Sequence, residues 1–238
     1  MYTIPKNLLS KGITNAKLSK NESETYILYL APFTQNSRGV NLCPQASKGC
    51  AKACLFTSGR GKFSNVKSAR INKTEYFLHN KEGFINQLTD ELLKINRKAL
   101  KQGKTIYIRL NGTSDLDFYK MVKLNLFKRE FLPSDALCNL HFYDYTKDVK
   151  KVERYKDDAR YTLTYSFSEK DVSTKEAKKV LKLGGNVAVV FFKLPKTFLG
   201  YNVIDGDASD LKMINNKAKV LGLKAKGEAR KDFSGFVQ

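Results

Sequence analysis

Short apolar runs that suit buried strands alternate along this chain with stretches whose apolar positions recur every three or four residues, the spacing of a helix with one buried face. The first strand-like run is Tyr26 to Ala31, ended by Pro32; residues 36–60 after it are rich in Gly, Ser and Asn, which predicts a long loop. Across 73–102, Phe77, Phe84, Leu88, Leu92, Leu93 and Ile95 fall at helical spacing, predicting a helix broken near Gly83 and stopped at Gly103. Further strands are expected over 104–110, 140–143, 161–165, 186–192, 201–204 and 220–223, with helices over 118–130, 149–155 and 174–183 between them. Every strand except the one through Val187 runs into a polar cluster. Continuous apolar strands separated by helices imply a mostly parallel sheet covered on both faces, and polar groups at strand ends are where βα barrels keep their ligand residues. The expected class is α/β, a partial or complete TIM-like (βα) barrel with mostly parallel strands. Residues 1–25 read as a basic, irregular N-terminal arm and 26–238 as a single domain that contains the cysteine loop.

Composition supports a folded domain: 42% hydrophobic and 28% charged residues exclude global disorder. No run approaches the roughly 20 apolar residues of a membrane helix, and the apolar stretch near Tyr26 lacks the marks of a signal peptide, so a soluble, cytoplasmic protein is expected. In that compartment cysteines bind metal or react more often than they form disulfides. The net charge of +20, Lys+Arg 43 against Asp+Glu 23, attracts polyanions and makes nucleic acid or a nucleotide the leading partner class. The lysines are spread along the whole chain, which also suits a merely solvated surface.

Chemistry concentrates in Asn41-Leu-Cys43-Pro-Gln-Ala-Ser-Lys-Gly-Cys50-Ala-Lys-Ala-Cys54, a C-x6-C-x3-C spacing. Three soft thiolates in one loop can converge on one metal centre, with Pro44 and Gly49 letting the chain wrap around it. A structural zinc site is normally closed by a fourth Cys or His, whereas a 4Fe–4S cluster on three thiolates keeps one iron open. Cys43, Cys50 and Cys54 are therefore expected to ligate an iron–sulfur cluster, with zinc, buried thiols and redox thiols as the other readings. Cys138 precedes the strand at 140–143, which puts it at the opposite end of the sheet, and His79 and His141 read as structural.

Other strand ends carry Asp115, Asp144, Asp205, Asp207 and Asp210, an acidic ring that could hold Mg²⁺ or act as acid and base, or that could simply cap helices. Tyr143, Tyr145 and Lys147 combine stacking faces, a phenol and an ammonium suited to a nucleotide base, although strand alternation makes one or two of them packing residues. The catalytic candidates are Asp144, Tyr143, Lys147, Asp205 and Asp207. Lys224, Lys226, Arg60 and Arg70 could bind phosphate or be plain surface.

A three-cysteine loop directly after the first strand of a βα barrel resembles the radical S-adenosylmethionine enzymes, whose usual spacing is C-x3-C-x2-C. The resemblance implies S-adenosylmethionine as a cofactor, its aminoacyl end near Asn111, Gly112, Thr113, Ser114 and Asp115, and its adenosine near Ser166, Ser168 and Asp205. More closely, the stretches at 41–50, 109–115, 142–147, 163–166, 185–190, 203–207 and 222–227 resemble the bacteriophage gene product 88 family, which implies a phage protein in the infected host's cytoplasm and brings no reaction with it. The function expected is a radical-S-adenosylmethionine-like iron–sulfur enzyme modifying a nucleotide or nucleic acid. The alternative is a nucleic-acid-binding or host-takeover protein with a structural metal staple, and a Mg²⁺-dependent nuclease is a third.

Overall fold

In a computed structural model the chain is described over residues 2–12, 23–54, 56, 59–129, 135–210 and 212–238. Part of the expected arm (13–22), Glu130 at the end of an expected helix, and positions 55, 57 and 58 of the cysteine loop lie outside the described residues. The elements run β1 Leu9–Lys11, β2 Thr25–Leu28, α1 Lys48–Lys52, α2 Ser64–His79, α3 Lys81–Lys101, β3 Ile106–Arg109, α4 Phe118–Phe127, β4 Leu140–Thr146, α5 Val149–Tyr155, β5 Tyr161–Ser166, α6 Asp171–Lys182, β6 Asn186–Phe191, β7 Thr197–Phe198, β8 Tyr201–Asp205, α7 Lys212–Asn215 and β9 Val220–Lys224. The described part of the expected arm is not irregular throughout, because Leu9–Lys11 pairs antiparallel with β2 and Leu8 is fully buried.

Among the described residues the nine strands form one sheet in the order β1-β2-β3-β4-β5-β6-β9-β8-β7. From β2 to β8 every neighbouring pair is parallel, and antiparallel strands sit at both edges. The sheet is open, so the complete barrel among the sequence expectations is corrected: β1 and β7 end it instead of joining. Strand order also departs from chain order, since β9 inserts between β6 and β8.

Period-2 alternation sorts the strands onto two unlike faces. Ile106, Ile108, Phe142, Leu163, Tyr165, Val187 and Val189 join the main core with Phe84, Leu88 and Leu92 of α3, Phe118 of α4 and Val180 of α6. The opposite face carries Tyr143, Ala188 and Leu221 against Met213 of α7, with Tyr107 and Tyr145 packed beside them. The long helices thus cover one face, where coverage of both had been expected. This leaves the second face to that smaller cluster, with polar and aromatic side chains beside it.

The helix expected over 73–102 is two helices, joined at Asn80, whose φ of −143° is not helical. The Asn80 side chain caps α3 by accepting from the Gly83 amide at 2.9 Å, and a Cβ on Gly83 would meet that amide group at 2.7 Å. Gly83 therefore marks the cap instead of the break. No helix among the described residues is long and apolar enough to cross a membrane.

Candidate metal centre

The chain leaves β2 at the C-terminal edge of the sheet, and the cysteine loop is pinned there by turns that follow two other strands. From the β3–α4 turn, Gly112 N donates to Leu28 O at 3.0 Å, Asp115 N donates to Leu42 O at 2.9 Å and the Thr113 hydroxyl donates to Leu30 O. From the β5–α6 turn, Glu169 accepts from the Ser47 hydroxyl at 2.6 Å and from Gly49 N at 2.7 Å, while Lys170 Nζ donates to Gln45 O at 2.8 Å. Ser47 also caps α1, accepting from Cys50 N at 3.1 Å. A Cβ on Gly49 would lie 2.3 Å from Ser234 Oγ and 2.6 Å from Phe236 Cβ, so only glycine lets the C-terminal segment close over α1.

This packing gathers the three thiols. Cys43 is pushed up to about 12, first by burial and then by Cys54, Cys50 and Asp115, against a hydrogen bond from the Phe33 amide. Phe33 holds a left-handed φ of 50°, uncommon for a bulky residue, and its carbonyl accepts from Leu42 N at 3.2 Å. The Cys43 thiol lies 3.7 Å from Thr113 O, its acceptor. Cys50 is raised by burial, with Lys147 opposing and Glu169 and Asp115 adding to the rise. Cys54 is raised by burial and by Cys50, and Arg70 and the Phe56 amide oppose. The thiols thus sense one another across a partly buried site with Lys147 and Arg70 on its flanks. Among the described residues, no three His, Cys, Asp or Glu side chains stand close enough to hold a single metal ion.

The remaining Cys and His lie elsewhere. Cys138 is exposed ahead of β4, His141 Nε2 sits 2.9 Å from the Thr162 hydroxyl at the start of that strand, and His79 Nδ1 contacts Glu75 O at 2.9 Å beside the Tyr2 ring. None is part of the cysteine site.

The turn expected to hold a cofactor is bonded mostly to the protein itself. Asn111 donates to Asp144 Oδ2 and Leu116 O and accepts from the Ser114 hydroxyl and Leu116 N. Asp115 accepts from Lys151 Nζ at 2.6 Å, the Thr146 hydroxyl at 2.8 Å and Lys147 N at 2.9 Å. Gly112 packs on Tyr29, where a Cβ would meet the ring at 2.5 Å. Ser166 Oγ accepts from Lys147 Nζ at 3.1 Å, and Ser168 is buried with its amide donating to Ser173 Oγ at 2.9 Å. The side chains of Asn111, Ser114 and Asp115 therefore do not fit an S-adenosylmethionine aminoacyl group, because their donors and acceptors are engaged. They hold the turn against the cysteine loop.

The acidic ring does not assemble either. Asp144 points to the helix face and accepts from Asn111 N at 2.7 Å and from the Tyr161 hydroxyl at 3.1 Å; burial raises it to about 6. Asp115 pairs with Lys151, Asp207 with Lys226 at 2.6 Å, and Asp210 with Arg109 at 3.6 Å, while Asp205 accepts from Asp207 N. Asp205 is exposed and stands apart from the buried Asp144 and Asp210. Of the candidate catalytic residues, Lys147 alone has its charge tied to the cysteine site. Burial lowers its pKa, Cys50 is the first group to oppose that, and its Nζ donates to Ser166 O and Phe167 O over the Phe236 ring. Tyr143 and Tyr145 lie together on the face opposite the helices, and alternation does not divide the trio as expected, because positions two apart share a face. Lys224 contributes its amide to Asp207, and the side chain of Arg60 lies outside the described residues.

Sequence reasoning missed Glu169, Lys170, Arg109 and the C-terminal segment. Glu169 and Lys170 follow a strand directly, a position that could have singled them out. Arg109 alternates onto the face of Tyr107, which period 2 could have shown. The last five residues carry no local signal.

No curated protein and no solved structure matches the chain. The gene product 88 family model matches residues 7–238, the length that carries the sheet, the cysteine loop and the segments that pin it, and the chain belongs to that family.

Proposed function

We propose that this protein is an iron–sulfur enzyme that modifies a nucleotide or nucleic acid. Cys43, Cys50 and Cys54 would ligate three irons of a 4Fe–4S cluster and leave the fourth open. The carrying observation is three partly buried thiols brought together at the ends of parallel strands, with Cys138, His79 and His141 all placed elsewhere. Such a cluster supplies one electron to a ligand at its open iron.

The protein's own part is to hold the thiols and tune their charge. Ligating thiols must lose their protons, so the raised pKa values make metal affinity climb with pH. Lys147 and Arg70 offset the resulting negative charge. The net charge of +20 supports an anionic substrate.

Oxygen-free purification with iron and sulfide quantification is the test. We expect about four irons per chain and a broad visible absorption that dithionite bleaches. Cys43→Ala should keep its fold by circular dichroism and lose iron. A colourless protein with one zinc, or a Cys43→Ala variant that unfolds, overturns the enzyme reading in favour of a metal staple.

A further inference from the structure

Among the described residues, the buried side-chain polar atoms without a hydrogen-bond partner are Arg70 Nε and Nη1, Arg109 Nε, the Tyr143 hydroxyl and the Thr164 hydroxyl. Groups of this kind are rare in a folded interior unless something else satisfies them. Their distribution is not scattered. Arg109, Tyr143 and Thr164 alternate onto the sheet face away from the long helices, on three adjacent strands. Arg70 reaches from α2 to the edge of the same region, its guanidinium 4.7 Å from the Tyr29 ring centroid and 5.4 Å from that of Phe56. Tyr29 follows β2 on the face of Ile27, whose register partner is Arg109, so the ring beneath Arg70 lies on the strand next to Arg109.

The charges are unequal to their surroundings. Arg109 pairs with the buried Asp210 at 3.6 Å, and its plane stacks on Tyr145 at 4.8 Å. Burial works against the Arg109 charge, and Asp210 with the nearby phenols more than restores it. Arg70 has no carboxylate partner among the described residues; burial lowers its pKa, and only Tyr29 and Cys54 oppose. Two buried N–H groups of Arg70 are therefore left without an acceptor, on a planar fork that suits two oxygens at once.

We propose that this face binds an oxyanion, a carboxylate or phosphate group of the substrate, held by Arg70 from the cysteine side and by Arg109 Nε and the Tyr143 hydroxyl from the strand side. The stacked rings of Tyr29, Phe56 and Tyr145 keep the guanidinium planes fixed before the ligand arrives. The site deepens the enzyme reading, because it sets the anionic end of the substrate next to the three thiols, while its binding property does not depend on iron.

Calorimetric titration of the full chain tests it, using adenosine 5′-monophosphate against adenosine and 4-hydroxybenzoate against phenol. Saturable binding of a charged member without its uncharged counterpart is expected. The phosphate and carboxylate arms tell which oxyanion is preferred. Loss of a charge-assisted contact in Arg70→Gln should weaken that binding about tenfold or more. Tyr143→Phe should weaken it less and leave the melting midpoint no lower, since its hydroxyl has no partner to lose. Arg109→Gln strands the Asp210 carboxylate and can unfold the chain, so the decision rests on the other two variants. Failure of both charged probes to bind, or affinities unchanged in both variants, overturns the proposal. Repeating the titration on iron-free Cys43→Ser protein separates the two readings: persistent binding with the Arg70 effect upholds the oxyanion site whatever the iron content.

Discussion

At the scale of single residues, the groups that looked catalytic divide by the side of the strand they occupy. Asp144 and Tyr143 are neighbours in sequence, yet one locks the β3–α4 turn from the helix face and the other points an unpartnered hydroxyl into the opposite face. Burial raises Asp144 to about 6 from an ordinary 3.8, with Arg109 and the Asn111 hydrogen bonds opposing. A carboxyl whose folded pKa is raised favours the folded state fully below the unfolded pKa, and that contribution disappears as pH rises through the folded one. Wild type should therefore lose on the order of 2–3 kcal/mol between about pH 4 and pH 6 relative to Asp144→Asn. Urea unfolding at intervals across that range checks this, and parallel pH profiles for the two proteins would show that Asp144 is not held as described.

At the scale of elements, the cysteine loop has little structure of its own and takes its shape from its neighbours. Among its described residues the regular pieces are α1, five residues long, and the start of a 3-10 turn at Gly59, both too short to stand in water without support. Glu169, outside the loop, holds two of its groups with one carboxylate. Glu169→Ala leaves the Gly49 amide without its acceptor and should cost about 2–3 kcal/mol of local stability. Hydrogen exchange at the Gly49 amide should accelerate accordingly, while exchange in α3 stays unchanged. Equal acceleration in both would mean that Glu169 supports the whole fold instead of the loop.

At the scale of the molecule, the thiol site draws on four segments far apart in the chain: the loop after β2, the turns after β3 and β5, and the C-terminus. The C-terminal segment returns beside β6, where Val190 pairs with Val237 and Gln238 exchanges backbone hydrogen bonds with Val190 and Phe192. Phe236 and Val237 then pack with Ala53, Ala225 and Ala229 against Cys50. Removing Ser234–Gln238 should expose that thiol and let its pKa fall back. In metal-free protein, Cys50 alkylation followed by mass spectrometry should speed up about tenfold relative to the exposed Cys138. An unchanged ratio would mean that the C-terminus does not cover the site.

Local information settled much of the architecture. The run 220–223 was legible as a strand because it is short and continuously apolar apart from Gly222, 161–165 because Tyr and Leu alternate with Thr at period 2, and α3 and α6 because one-sided burial imposes a 3.6 period. The three cysteines were legible as one group because they lie close together in the chain. Tertiary structure alone decided what closes around them. Whether Asp115 meets a ligand or Lys151, whether β9 sits beside β8 or between it and β6, and whether residues 234–238 are a loose end or a cover depend on pairings between distant segments. No local periodicity encodes such pairings, because they follow from which buried groups remain to be satisfied once the sheet is assembled.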